Sequence, residues 1–301
     1  MPDTSIDLDI RGIRIRARLD GPDGAPACVL LHGWLDTSSS FDRLAPLLHA
    51  SGMRTIALDA RGHGDSSWVG AGGFYHFVEY IADLDAALDV LLLAQPIGEH
   101  GRVREPVRLV GHSMGASIAL LYAAARPGRV SHLTLLDGLP MLVRPSEVPG
   151  RVVEYLDDLK TMSRARKLVA SFEEGAARLR KTNPFLREDA AILLARAGIS
   201  PDINQDNQLA WKWDPWLRAH SPLPFTEDIF RELLPTIHTP TLILRAAKTW
   251  LPDEQELRER LTGINARFTV DTIADTSHHL HIESPEEVSR HILAAWKSSG
   301  L

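Results

Sequence analysis

A chain of 301 residues, 44% of them hydrophobic, can bury a large core, enough for one α/β domain with an insertion or for two modest domains. Its 39 acidic residues outnumber its 33 lysines and arginines, and the formal charge of −6 without any basic block argues against nucleic acid as the main partner. The single cysteine, Cys28, excludes an internal disulfide, and no apolar run approaches the ~18 residues of a membrane span. Met1 to Asp9 is acidic and polar, without the basic-then-apolar pattern of a signal peptide, so a cytoplasmic location is expected.

Apolar and polar residues alternate over Ile6–Ile10 and Ile13–Leu19, which predicts a half-buried hairpin turning at Arg11-Gly12. Cys28 to Leu31 is continuously apolar and predicts a buried strand that gives way to the loop His32-Gly33-Trp34. A helix over Phe41–His49 follows, then a strand over Arg54–Leu58 running into the glycine-rich Asp59 to Ser66. Phe77–Leu93 has apolar residues near helical spacing. The apolar Val107–Val110 predicts a strand and Ala116–Ala125 a helix, so Ser113 sits where one turns sharply into the other. Gly111 and Gly115, two residues either side, omit the Cβ atoms that would collide in such a turn.

A further strand, His132–Leu136, ends at Asp137-Gly138. Strand and helix alternation of this kind predicts a mostly parallel sheet covered on both faces. The alternation ceases for about a hundred residues after Pro140, where Arg151–Leu233 reads as short amphipathic helices broken at Asn183-Pro184, Ser200-Pro201 and Ser221 to Pro224. It resumes with a strand over Pro240–Leu244, a helix over Glu254–Leu261, a strand over Arg267–Ile273 and a helix over Pro285–Trp296.

The pieces together resemble an α/β-hydrolase: His32-Gly33-Trp34, Asp59 to Ser66, Gly111 to Gly115 and His278 to Pro285 follow successive strands in the order that fold requires. The resemblance implies a mostly parallel central sheet with helices on both faces and an inserted helical cap. Residues 1–138 and 236–301 would form the core domain and residues 139–235 the cap, or lid. His32-Gly33-Trp34-Leu35-Asp36 with Ser277-His278-His279-Leu280-His281 is similar to the serine-hydrolase-like branch, which includes esterase-like proteins.

A serine hydroxyl is a poor nucleophile and needs a base within hydrogen-bond reach, which histidine supplies. The resemblance makes Ser113 the nucleophile and His278, in the loop after the last strand, the base. It also puts the two oxyanion donors at the backbone N–H groups of Met114 and Trp34. His279 and His281 read as solvated loop residues. No carboxylate or cysteine stands at a recognised ligand spacing from them, so neither a metal nor another cofactor is expected.

The triad acid departs from the family pattern. Relatives carry an aspartate after the strand that here runs Thr241 to Leu244, and this chain has Ala246-Ala247-Lys248-Thr249 there. Two substitutes remain open: Asp137, at the end of the preceding strand, and Asp253, whose Asp253-Glu254-Gln255-Glu256 also matches a helix N-cap. Arg61, His63 and Asp65 read as loop scaffold. Trp34, His112, Trp211, Trp213, Trp216 and Trp250 are candidates for lining a pocket.

The expected activity is serine hydrolysis of a carboxylic ester or related acyl bond, acting on a small, apolar, ester-like substrate. The same residues could serve carbon–carbon cleavage, lactone opening or acyl transfer. The missing acid at Thr249 also leaves open a ligand-binding protein without turnover.

Overall fold

Arg11 and Gly12 both adopt positive φ, 53° and 79°, giving the tight turn whose twist suits a hairpin. Strands β1 (Thr4–Ile10) and β2 (Ile13–Asp20) accordingly pair antiparallel, with Ile10 opposite Ile13. The computed structural model describes residues 4–22, 24–93, 106–202, 206 and 208–298. The remaining sheet strands are β3 (Ala27–Leu31), β4 (Arg54–Leu58), β5 (Val107–His112), β6 (Val130–Leu136), β7 (Thr241–Lys248) and β8 (Phe268–Ser277). They form one eight-stranded sheet in the order β1-β2-β4-β3-β5-β6-β7-β8, antiparallel only where β2 meets its neighbours.

The sheet is apolar on both faces because helices cover both, as crossovers between parallel strands require. Alternate residues of β3 divide between two cores. Val29 and Leu31 pack with residues of α2 (Phe77–Leu93) and α3 (Met114–Ala125), among them Leu84, Leu88 and Tyr122. Cys28 and Leu30 pack on the other face with Leu48 of α1 (Ala45–His49) and Val288, Ile292 and Trp296 of α10 (Pro285–Ser298). Burial pushes the Cys28 thiol up to about 12, so it behaves as a small apolar core residue.

The single helix predicted over Phe41–His49 is split: a 3-10 turn covers Ser38–Phe41, and α1 starts only at Ala45. Pro46 explains this, since it lacks an N–H and its ring would strike the carbonyl four residues back anywhere but in a first turn.

Between β6 and β7 lie helices α4 (Val148–Thr161), α5 (Phe172–Thr182), α6 (Glu188–Gly198) and α7 (Glu227–Leu233). The sequence reading of this stretch as helices alone misses two short strand pairs. Ile199–Asp202 pairs antiparallel with Gln208–Trp211, and Phe225–Thr226 pairs parallel with Leu142–Val143. Pairings of two to four residues show too little alternation to register as a period. Helices α8 (Glu254–Arg260) and α9 (Leu280–Glu283) complete the chain's described helices.

Candidate active site

Ser113 follows β5 directly and has φ 51° and ψ −111°, an unfavourable conformation that turns the chain at once into α3. The turn closes because its flanks are bare. A Cβ on Gly111 would strike the backbone of Gly115, and one on Gly115 would strike the carbonyl of Leu31. The main chain holds the strain in place: Ser113 N–H donates to Leu136 O at 3.0 Å, and the Ser113 carbonyl accepts from Ala116 and Ser117 in the first turn of α3.

Asp137 follows β6 at the same level, since His112 and Leu136 are register partners. Its φ of 44° swings a fully buried carboxylate beneath the loop that follows β8. That carboxylate accepts from Ala246 N–H at 2.9 Å on one oxygen. On the other it accepts from Thr249 Oγ1 at 2.9 Å and from His278 Nδ1 at 2.8 Å. With its Nδ1 proton given to Asp137, the His278 ring presents Nε2 as acceptor to the Ser113 hydroxyl, 3.0 Å away. Serine, imidazole and carboxylate thus form one chain of hydrogen bonds.

Met114 N–H begins a helix and Trp34 N–H lies in the loop after β3. Among the described residues neither donates to a protein acceptor. That loop is strained at Leu35, φ 63°, and is braced from below. His32 donates Nδ1–H to Gly33 O at 2.7 Å and accepts Ala60 N–H on Nε2 at 3.0 Å, which sets its tautomer. Asp59 accepts the N–H groups of Ser38 and Asp65, at 2.7 and 2.8 Å. Arg61 makes a buried two-pronged pair with Asp83, 2.6 Å on each prong. Burial pushes the His63 imidazole down to about 3, so it stays neutral and its Nδ1–H serves Arg61 O. Asp65 faces solvent more than these neighbours and pairs with Lys212 at 2.8 Å.

The family model described as "Alpha/beta hydrolase family" matches residues 28–291. The chain belongs to that family. Within it, the hydrolase is similar to proteins named serine hydrolase-like; one from Danio rerio is 27% identical over 287 residues, covering 91% of this chain and 82% of the relative. Among solved structures, a hypothetical protein of Pseudomonas aeruginosa PAO1 superposes with a TM-score of 0.82 at 28% identity, covering 98% of this chain and 99% of the other. The thioesterase domain from the curacin biosynthetic pathway matches with a TM-score of 0.79 at 25% identity, covering 97% and 100%.

Several residues singled out in the sequence lie elsewhere in the hydrolase. Asp253 does not reach His278: its carboxylate accepts Glu256 N–H at 2.9 Å and caps α8. Thr249, which occupies the place of the missing acid, instead donates to the Asp137 carboxylate. His112 is buried under the loops, where its Nε2–H donates to His278 O at 2.8 Å. Burial pushes His112 down to about 4, against the opposing influence of Asp36. Trp211 and Trp213 are also buried and stack on each other with ring centroids 6.1 Å apart, Trp211 lying against the bare flank of Gly198. Trp216 packs on Phe74 and under the Arg164 guanidinium. Only Trp34 and Trp250 of the six remain open, 48% and 54% exposed, and the Trp250 ring centroid lies 6.0 Å from that of His278. Trp34 is tethered through Nε1–H to Leu217 O at 3.2 Å.

His281 is buried and His279 only partly exposed, so neither is a freely solvated loop residue. Asp36, more than two hundred residues upstream, reaches within 3.3 Å of His279 Nε2, a neighbour that spacing along the sequence does not show. His281 is fully enclosed and burial holds it well below the ordinary histidine value. Glu283 was also overlooked: it accepts Ser277 N–H and Ser277 Oγ–H at 2.6 and 2.8 Å, and Arg187 N–H at 3.1 Å, knotting the histidine loop to the segment before α6. Asp36 and Glu283 both stand inside the motif runs, and their acidic character five or fewer residues from Gly33 and His278 was the available signal.

Proposed function

We propose that this hydrolase cleaves a carboxylic ester or related acyl bond through a covalent acyl-enzyme on Ser113. The observation that carries the reading is the hydrogen-bond chain from Ser113 Oγ to His278 Nε2, 3.0 Å, and from His278 Nδ1 to Asp137 Oδ2, 2.8 Å. His278 takes the serine proton as Oγ bonds to the carbonyl carbon, then hands it to the departing alcohol oxygen as the carbon–oxygen bond breaks. Water repeats the sequence on the acyl-enzyme, with the same base. Asp137 keeps the imidazole in the tautomer that accepts at Nε2 and stabilises the imidazolium. The free N–H groups of Met114 and Trp34 hold the oxyanion, and donors of this kind contribute ~3–4 kcal/mol each to the barrier when deleted.

Residues 139–235 act as the lid in this reading, and the open faces of Trp34 and Trp250 offer an apolar seat for the acyl or alcohol group. The thioesterase name of one structural neighbour supports the acyl class of bond. Turnover of short p-nitrophenyl esters and labelling by a fluorophosphonate test the proposal. Wild-type protein should be labelled at Ser113, and Ser113→Ala should lose both labelling and turnover with its circular dichroism unchanged. Turnover that persists in Ser113→Ala overturns the mechanism, and a wild-type serine inert to the probe would favour ligand binding without hydrolysis.

A further inference from the structure

A cluster that the hydrolytic chemistry does not use lies directly behind it. Asp36 Oδ2 is 3.6 Å from His112 Nδ1 and 3.3 Å from His279 Nε2, and one ligand atom from each of the three residues lies within 4.8 Å of the others. The Asp36 and His112 side chains are more than nine-tenths buried. Among the described residues, neither Asp36 Oδ2 nor His112 Nδ1 has a hydrogen-bond partner. Such groups ordinarily find one, because an unpaired buried polar atom costs ~1–3 kcal/mol.

The proton inventory sharpens the anomaly. His112 Nε2 bonds to the carbonyl oxygen of His278, which can only accept, so the ring proton is on Nε2. In the tautomer with its proton on Nε2, the ring faces a carboxylate oxygen with the lone pair of Nδ1. His279 Nε2, though near, makes no aligned hydrogen bond to that oxygen. A His112 lone pair, a carboxylate oxygen and the His279 Nε2 atom beside them form a set of donor atoms that a cation could draw together. Ligands ~2.0–2.2 Å from a tetrahedral ion lie ~3.3–3.5 Å apart, close to the two contacts here. A ring N–H given to a backbone carbonyl is also the usual outer support of a metal-bound histidine.

We propose that Asp36, His112 and His279 bind one Zn2+ ion, which fastens together the three loops that carry Trp34, Ser113 and His278. Each ligand is a near neighbour in sequence of one of those residues: Asp36 follows Trp34 by two, His112 precedes Ser113, and His279 follows His278. A bond at this point therefore sets the spacing of all three loops without touching the reacting atoms. Nitrogen and carboxylate donors in a tetrahedral arrangement suit Zn2+, and three protein ligands leave a fourth position for water. The partly exposed His279 side chain marks the route of entry.

Calorimetric titration of Zn2+ into chelator-stripped, dialysed full-length protein tests this without substrate, so its outcome is independent of the hydrolytic reading. One equivalent should bind, and the melting temperature should rise with it. Loss of an outer-sphere partner alone typically weakens a metal site ~10–100-fold, so Asp36→Asn and His279→Gln should each weaken binding at least ~100-fold. Co2+ in place of Zn2+ should give the intense visible absorption of a tetrahedral site. Absence of stoichiometric binding to the wild type overturns the proposal, as does binding that survives both substitutions. Should a variant fail to fold, the wild-type stoichiometry and the Co2+ spectrum still decide, and a weak octahedral spectrum counts against the site.

Discussion

The carboxyl edge of the sheet and the segment between β6 and β7 are held by different physics. Ser113, Asp137 and His278 each follow a sheet strand directly, and two of them extend the ladder, through Ser113 N–H to Leu136 O and Asp137 N–H to Leu244 O. Their positions are set by backbone hydrogen bonds between strands buried on both faces. The intervening segment adds no strand to that sheet among the described residues. It is kept in place largely through side chains, Leu217 O on the Trp34 indole, Glu283 on Arg187 N–H and Tyr75 on Asp214, with a main-chain bond from Asp214 N–H to Gly62 O. Helix α4 buries none of its residues. In the proposed mechanism the reacting groups, which must hold position within tenths of an ångström, sit on the rigid part, and the proposed lid is tied by replaceable contacts.

Substitutions can break that contrast. The largest effect is expected from Asp137→Asn, which should lower kcat on p-nitrophenyl acetate by ~10⁴-fold, because the wrong tautomer of His278 would face Ser113. A loss below tenfold would place the orienting charge elsewhere. Trp211→Ala should cost ~3–5 kcal/mol in urea unfolding while leaving kcat on the smallest ester within about threefold. A kcat drop rivalling that of Asp137→Asn would erase the distinction between the two regions.

Acidification should weaken the strand-end region next. His63 and His112 are held down to about 3 and 4 in the folded protein and rise to ordinary values on unfolding. Their stabilisation is complete above ~6.5 and is lost as pH falls through the window down to the folded values. At pH 5 each should have given up ~2 kcal/mol, and a urea midpoint that stays flat from pH 7 to 5 would contradict their neutral burial. The smallest effects concern the two residues of the missing-acid loop. Thr249→Val removes one donor to the Asp137 carboxylate and should lower kcat about tenfold. Asp253→Ala should cost ~1 kcal/mol of stability as a lost helix cap and leave kcat unchanged.

Much of this layout was legible before any coordinates. Strand β4 runs over the predicted Arg54–Leu58 and α2 over the predicted Phe77–Leu93, because each is a long or unambiguous apolar pattern. The serine turn was legible from two glycines, since only a collision between backbones demands them in that spacing. The aromatic residues were not. Six candidates share the same composition signal, yet four are buried or packed away from the histidine, and residue type alone carries no direction. The same limit hid Asp36, whose partners are near in space and remote in sequence.

The sequence by itself determined the order of strands and helices, the bend at Ser113 and the candidate base, because those follow from local sterics and from periodicity over a few residues. Only the tertiary structure shows that Asp137 rather than Asp253 faces His278, and only it turns Thr249 from an absent acid into a donor. The physical reason is that a carboxylate's role is set by what faces it. Loops from different strands bring those neighbours together: Ala246, Thr249 and His278 around Asp137, His112 and His279 around Asp36.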